Sequence, residues 1–330
     1  MSVLEVRDLE VSFGSIKILR GVSFDLVPGQ TLGVVGESGC GKSMTGFAIM
    51  GMLQSPGKVS AGSIKLEGKE LVGLREREYR NIRGDQIALV MQDPFTSLNP
   101  MMRIGDQIAE AFVLHQKLSW SSAREKAVDM LGKVGVPSPA SSARKYPHQM
   151  SGGQRQRVVI AIAFACRPKV LIADEPTTAL DVTLQAQILR LLRQLQEEEK
   201  TAVMLISHDI GAIASISQRI AVFYAGKIVE TGPAAQVLQH PAMPYTKALL
   251  NALPDPAKDR LEAIKGQPPD FTTLGKECSF RPRCPFSIEK CAEEPGLIQL
   301  GEDHRSACWR AEEVLSGAAG FQPANPGEAG

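Results

Sequence analysis

The chain has 330 residues, 43% of them hydrophobic, with 37 basic and 36 acidic side chains and a net charge of +1. So even a balance offers no case for wholesale nucleic-acid binding, while the apolar share is enough for a sizeable core in about two domains. The opening "MSVLEVRDLEVSF" is charged where a secretory leader would be apolar, and the longest apolar run, residues 158–166, falls short of the roughly 20 residues of a spanning helix. The expectation is a soluble, cytoplasmic protein that meets a membrane only through a partner.

In chain order, short runs rich in Val, Ile and Leu at 31–35, 87–91, 170–174, 202–207 and 220–224 are expected to be buried parallel strands. Helices are expected between them. In "VTLQAQILRLLRQLQEEEK", Leu184, Ile188, Leu191 and Leu195 share one helical face, with Asp181 placed to cap it. This alternation predicts an α/β domain with a mainly parallel sheet. Residues 104–146 read as mostly helical, so a helical subdomain is expected over about 104–160. After "PYTKALLNALP", Pro254, Pro256, Pro268 and Pro269 interrupt any periodicity. A boundary is therefore placed near Leu253, dividing an α/β domain (1–253) from a small, irregular Cys-rich domain (254–316). The Pro/Gly-rich end, 317–330, is expected to be a disordered tail.

The chemistry starts at "GESGCGKS". Gly36, Gly41, Lys42 and Ser43 have the spacing of a Walker A phosphate loop, directly after one expected strand and before a helix. Glycines at 36, 39 and 41 let the backbone curl, so the N–H groups of Glu37, Ser38, Cys40 and Met44 can face phosphate oxygens. Lys42 would reach the β- and γ-phosphates, and Ser43 would hold Mg²⁺. A glycine-rich turn alone would look similar; "VLIADEP" decides against it. There an apolar strand ends in Asp174, placed to support Mg²⁺, and Glu175, placed to act as general base on water.

"MSGGQRQR", 23 residues before Asp174 when counted from Ser151, completes a set of motifs that resembles the ABC-type ATPases. Ser151, Gly152, Gly153 and Gln154 match the signature; Gln92 matches the Q-loop, which the resemblance also places on Mg²⁺. Asp181 matches the D-loop and His208 the switch histidine. Phe13 aligns with the aromatic that stacks on adenine, although as a lone residue it reads nearly as well as core. The resemblance covers roughly residues 1–253. It implies two ATPase domains facing head to tail, each ATP held between the Walker A loop of one and the signature of the other. "HPAMPYTKALLNALP", "DPFTSLNP", "CSFRPRCP" and "HRSACW" narrow the resemblance to the peptide/nickel importer ATPases, and "GKSMT" and "TTALDVT" resemble their D-type subunit. The implied role is to drive import of di- or oligopeptides at the cytoplasmic face of the membrane. The implied partners are a second ATPase subunit, two permease subunits and an extracytoplasmic solute-binding protein. Nickel or another small solute, and a mechanochemical ATPase outside transport, stay open as alternatives.

Four of the six cysteines, Cys278, Cys284, Cys291 and Cys308, fall within 31 residues, spaced C-x5-C-x6-C-x16-C. Four thiolates suit tetrahedral zinc or a [4Fe–4S] cluster. The wide spacings lack the paired knuckles common to zinc sites, and the family resemblance implies the [4Fe–4S] cluster; zinc is the alternative, and a disulfide pair comes third.

Overall fold

A computed structural model describes residues 2–178, 180–252 and 264–317. The boundary near Leu253 and the expected tail beyond Gly317 lie outside the described residues. The first seven strands are β1 (Leu4–Phe13), β2 (Ile16–Leu26), β3 (Thr31–Val35), β4 (Gly57–Leu66), β5 (Lys69–Glu70), β6 (Ile87–Val90) and β7 (Val170–Asp174). The remaining five are β8 (Ala202–Ile206), β9 (Arg219–Tyr224), β10 (Lys227–Pro233), β11 (Ile298–Gln299) and β12 (Arg305–Ser306).

They form two sheets. The larger runs β11-β12-β10-β9-β3-β8-β7-β6, parallel through β9, β3, β8, β7 and β6 and antiparallel at the β10 side. The smaller, β2-β1-β4-β5, is antiparallel. The parallel strands read as continuous apolar runs because both their faces are covered. Alternate residues serve different cores. Val170, Ile172, Met204 and Ile206 pack toward the small sheet with Leu4, Val6, Leu9 and Val11. Leu171, Ala173, Val203 and Leu205 pack toward the helices.

From Val158 onward the helix Gly152–Phe164 is apolar all round, with Val158, Ile160, Ala161 and Phe164 buried. Such a helix must be covered on several sides, and it packs against the helices Ile104–Gln116, Trp120–Lys133 and Val182–Glu199. The expected helical region around 104–146 is thus present. Asp181 caps Val182–Glu199 as expected, its carboxylate accepting the Leu184 N–H at 2.9 Å. Ile188, Leu191 and Leu195 are buried, while Leu184 is half-buried and lies over Gly153.

A small separate Cys-rich domain finds no support in the packing of residues 264–317. β12 adds to β10 of the main sheet, pairing Ser306 with Glu230 and Arg305 with Thr231. Phe280 joins Tyr224 and Tyr245 in an aromatic cluster, with ring centroids 4.5–5.5 Å apart. Glu230, fully buried, accepts the Ala242 N–H at 2.6 Å and the Met243 N–H at 3.2 Å, and its Oε1 lies 2.8 Å from His304 Nε2. A buried carboxylate is tolerable only with such partners, so the β12 edge is latched to the core through His304.

Candidate functional site

The phosphate loop springs from the end of β3 and passes into the helix Lys42–Ile49. Its glycines are structural requirements. Gly36 has φ 150°, and a Cβ there would stand 2.2 Å from the Phe223 carbonyl oxygen. Gly41, at φ 110°, would meet Leu19 Cδ2 at 2.7 Å. Lys42 is buried, and its ammonium donates to the carbonyls of Gly36 at 2.7 Å and Glu37 at 2.9 Å, so the cation is held at the loop's mouth. Cys40 is buried beneath the loop, and burial raises its thiol above the ordinary value, against the pull of Lys42. Met44 packs at the edge of the small-sheet core.

Two strands away, β7 delivers the acidic pair. Ser43 Oγ donates to Asp174 Oδ1 at 3.0 Å. Burial pushes the Asp174 carboxyl above its usual range, and the adjacent Glu175 charge adds to the rise. A buried carboxylate beside a hydroxyl, lacking a full counter-charge, is a donor set suited to a hard divalent cation. Glu175 takes φ 48°, a left-handed backbone rare for a non-glycine residue and typical of strained functional positions. Its Oε2 accepts from Thr178 Oγ1 at 2.8 Å and Gln92 Nε2 at 3.1 Å, and lies 3.3 Å from His208 Nδ1. Glu175, Gln92 and His208, singled out from distant stretches of sequence, meet on one oxygen atom.

Ser151 caps the helix Gly152–Phe164: its Oγ accepts the Gln154 N–H at 3.3 Å, and Gln154 Oε1 accepts the Ser151 N–H at 3.1 Å. Gly152 and Gly153 neighbour Leu180 and Leu184, next to the Asp181 cap. Residues 152–153 therefore contact the start of the helix Val182–Glu199 and the turn before it. Phe13 is half-buried with its ring over Gly57, a packing position; nothing in its contacts distinguishes an adenine platform.

Three residues of the site were not picked out from sequence. Thr178 steadies Glu175, and its place in "EPTT" was the available signal. Tyr245 and Arg283 grip the phosphate loop from the C-terminal side: the Tyr245 hydroxyl accepts the Glu37 N–H at 2.8 Å, and Arg283 forks onto both Glu37 carboxylate oxygens at 2.7 and 2.8 Å. No local pattern signals such long-range contacts.

The four clustered cysteines are free thiols, which excludes the disulfide expectation in this structure. Among the described residues there is no group of three or more His, Cys, Asp or Glu side chains able to hold a metal ion. Neither a zinc nor an iron–sulfur site is assembled among the described residues: segments from both sides of β11 bring the thiols into one neighbourhood without closing them on a common point. Burial, and then neighbouring thiols, pushes Cys284 up to about 12 and Cys308 to about 11. Backbone N–H groups two residues on address three of the sulfurs: Phe280 to Cys278, Phe286 to Cys284 and Arg310 to Cys308.

A strand, glycine loop and helix with a carboxylate pair at the end of a parallel strand two places away define a P-loop nucleotide hydrolase. Comparison with known proteins makes this specific. Residues 19–178 match the ABC transporter family, and residues 229–291 match the oligopeptide/dipeptide transporter C-terminal region. The chain is 46% identical to the dipeptide transport ATP-binding protein DppD of Escherichia coli, over 93% of this chain and 96% of the relative. It is also 46% identical to the oligopeptide transport ATP-binding protein OppD of Salmonella typhimurium, over 95% of each. A solved post-hydrolysis dimer of the ATP-binding cassette MJ0796, bound to ADP and Pi, superposes with a TM-score of 0.62 at 26% identity, covering 70% of this chain and 98% of that one. The chain belongs to the ABC transporter ATP-binding proteins, in the branch carrying the oligopeptide/dipeptide transporter C-terminal region, and is an ATPase of that family. No described helix is long and apolar enough to cross a membrane.

Proposed function

We propose that this chain hydrolyses ATP to energise import of di- and oligopeptides through a membrane ABC transporter. The observation that carries the reading is the near full-length likeness to dipeptide and oligopeptide transport ATP-binding proteins, C-terminal region included. On this reading Lys42 and the loop N–H groups bind the triphosphate, and Glu175 takes the proton of the attacking water. Gln92, Thr178 and His208 fix the Glu175 carboxylate. Ser43 and Asp174, with Gln92 beside them, would hold Mg²⁺, which neutralises phosphate charge when bound. Ser151, Gly152 and Gly153 would close the site of a second ATPase subunit, with Asp181 at the shared boundary. Two permease subunits would tie the pair to the cytoplasmic face of the membrane, and a solute-binding protein would deliver the peptide.

Residues 1–253 form the ATPase unit in this proposal and 254–316 its C-terminal extension. Within the extension Cys278, Cys284, Cys291 and Cys308 would hold a [4Fe–4S] cluster. Support comes from the donor set: four free thiols that the fold brings into one neighbourhood. Reconstitution with the permeases tests the main reading: ATP-dependent uptake of a labelled dipeptide supports it, and uptake of nickel with exclusion of peptides overturns it.

A further inference from the structure

The C-terminal segment reaches into the nucleotide site at one point. Arg283, its side chain only 5% exposed, donates from Nη1 and Nη2 to the two carboxylate oxygens of Glu37, the second residue of the phosphate loop. Its Nε donates to the Lys265 carbonyl at 2.9 Å and its Nη1 also to the Tyr224 hydroxyl at 3.2 Å, so the guanidinium is fixed on three sides. Around this fork the loop's outer face is loosely packed. A cavity of about 240 Å³ separates Glu37, Ser38, Gly39 and Cys40 from Pro268, Pro269 and Phe271. The fork and the Tyr245 hydroxyl tie the loop to residues beyond β10, while from the main sheet the Gly226 N–H donates to the Cys40 carbonyl at 3.0 Å.

We propose that Arg283 is a positioning residue for ATP binding, holding the phosphate loop in its anion-binding curl and cancelling the Glu37 charge beside the incoming triphosphate. Two physical effects combine. A glycine-rich loop has much conformational freedom to lose, and a bidentate, buried fork removes part of that cost before nucleotide arrives. Without Arg283, Glu37 becomes a bare carboxylate in a loop that must bind a polyanion. Arg283 directly precedes Cys284, so the ordering of the thiol-bearing segment and the affinity of the ATP site become linked. This inference rests on the ATPase site alone and does not depend on which solute is transported.

The test measures binding of a fluorescent ATP analogue to the full chain, and KM and kcat of the assembled transporter. Arg283→Gln is expected to raise the ATP Kd and KM about tenfold, within the range for coupled contacts, while kcat falls less than about threefold. Arg283→Lys keeps the charge and stem but loses the fork, and should weaken binding about threefold; it serves also where the Gln variant fails to fold. Because the charge effect acts through Glu37, the Arg283→Gln penalty should shrink to under about twofold in a Glu37→Gln chain, and should fall with rising salt. A Kd within about twofold of the parent for Arg283→Lys, or a penalty that adds in full to Glu37→Gln, overturns the proposal. A general folding defect would lower kcat and stability without that dependence on Glu37.

Discussion

Replacing Glu175 by Gln separates chemistry from binding in this enzyme. The Gln amide has the shape of the carboxylate, so it can still accept from Thr178 Oγ1, which lies 2.8 Å from Oε2 in the parent, and still sit near Gln92 and His208. The main chain is unaffected: Glu175 N–H donates to the Ile206 carbonyl at 2.9 Å, and the φ of 48° is no harder for Gln than for Glu. The capacity to take a proton is lost. General-base removal costs roughly 10²–10⁴-fold, and a midpoint near 10³ corresponds to ~4 kcal/mol on the barrier. Nucleotide affinity should stay within about twofold, since the Lys42 and Ser43 contacts run to the loop and to Asp174 and bypass Glu175. Single-turnover ATP hydrolysis in the assembled transporter, alongside ATP Kd, reads both quantities. Hydrolysis within about tenfold of the parent would refute the general-base role. A Kd that rises as steeply as the rate falls would show that Glu175 acts in binding.

The isolated chain at high dilution should hydrolyse ATP poorly and gain activity on addition of a second ATPase subunit; full activity of a monomer by sedimentation would remove the shared-site geometry. Replacing His304 by Ala leaves the fully buried Glu230 without its ring partner and should destabilise the chain by about 3 kcal/mol, read as a lowered denaturation midpoint. Anaerobically purified protein should be brown with about four irons per chain, and Cys284→Ser should bleach it. One zinc without iron, or no metal after anaerobic handling, argues against the cluster.

Much of the ATPase site was legible in sequence because each part is local. The loop needs glycine where a Cβ would strike Phe223 or Leu19, and that demand appears directly as "GESGCGKS". β3 and β7 were delimited to the residue, and β6, β8 and β9 to within one residue, because buried parallel strands are apolar without a break. The antiparallel sheet went unread. Its first strand alternates Leu4, Val6, then Leu9, Val11; the period of two slips at Asp8, which takes φ 45° where the register with β2 shifts. A bulge of that kind flips the phase and hides the alternation from a pattern search.

The order of motifs, read from the chain alone, determined that this protein binds and hydrolyses a nucleotide, since strand, loop, cap and acid pair are each made by neighbours in sequence. Only the tertiary structure decided what surrounds that site. It set Gln92, Thr178 and His208 on one oxygen of Glu175, added β12 to the main sheet, and reached Arg283 back across 246 positions to Glu37. Contacts of that kind are chosen by which faces remain to be covered once the sheets and helices have packed, and the residues making them carry no local signature of their partners.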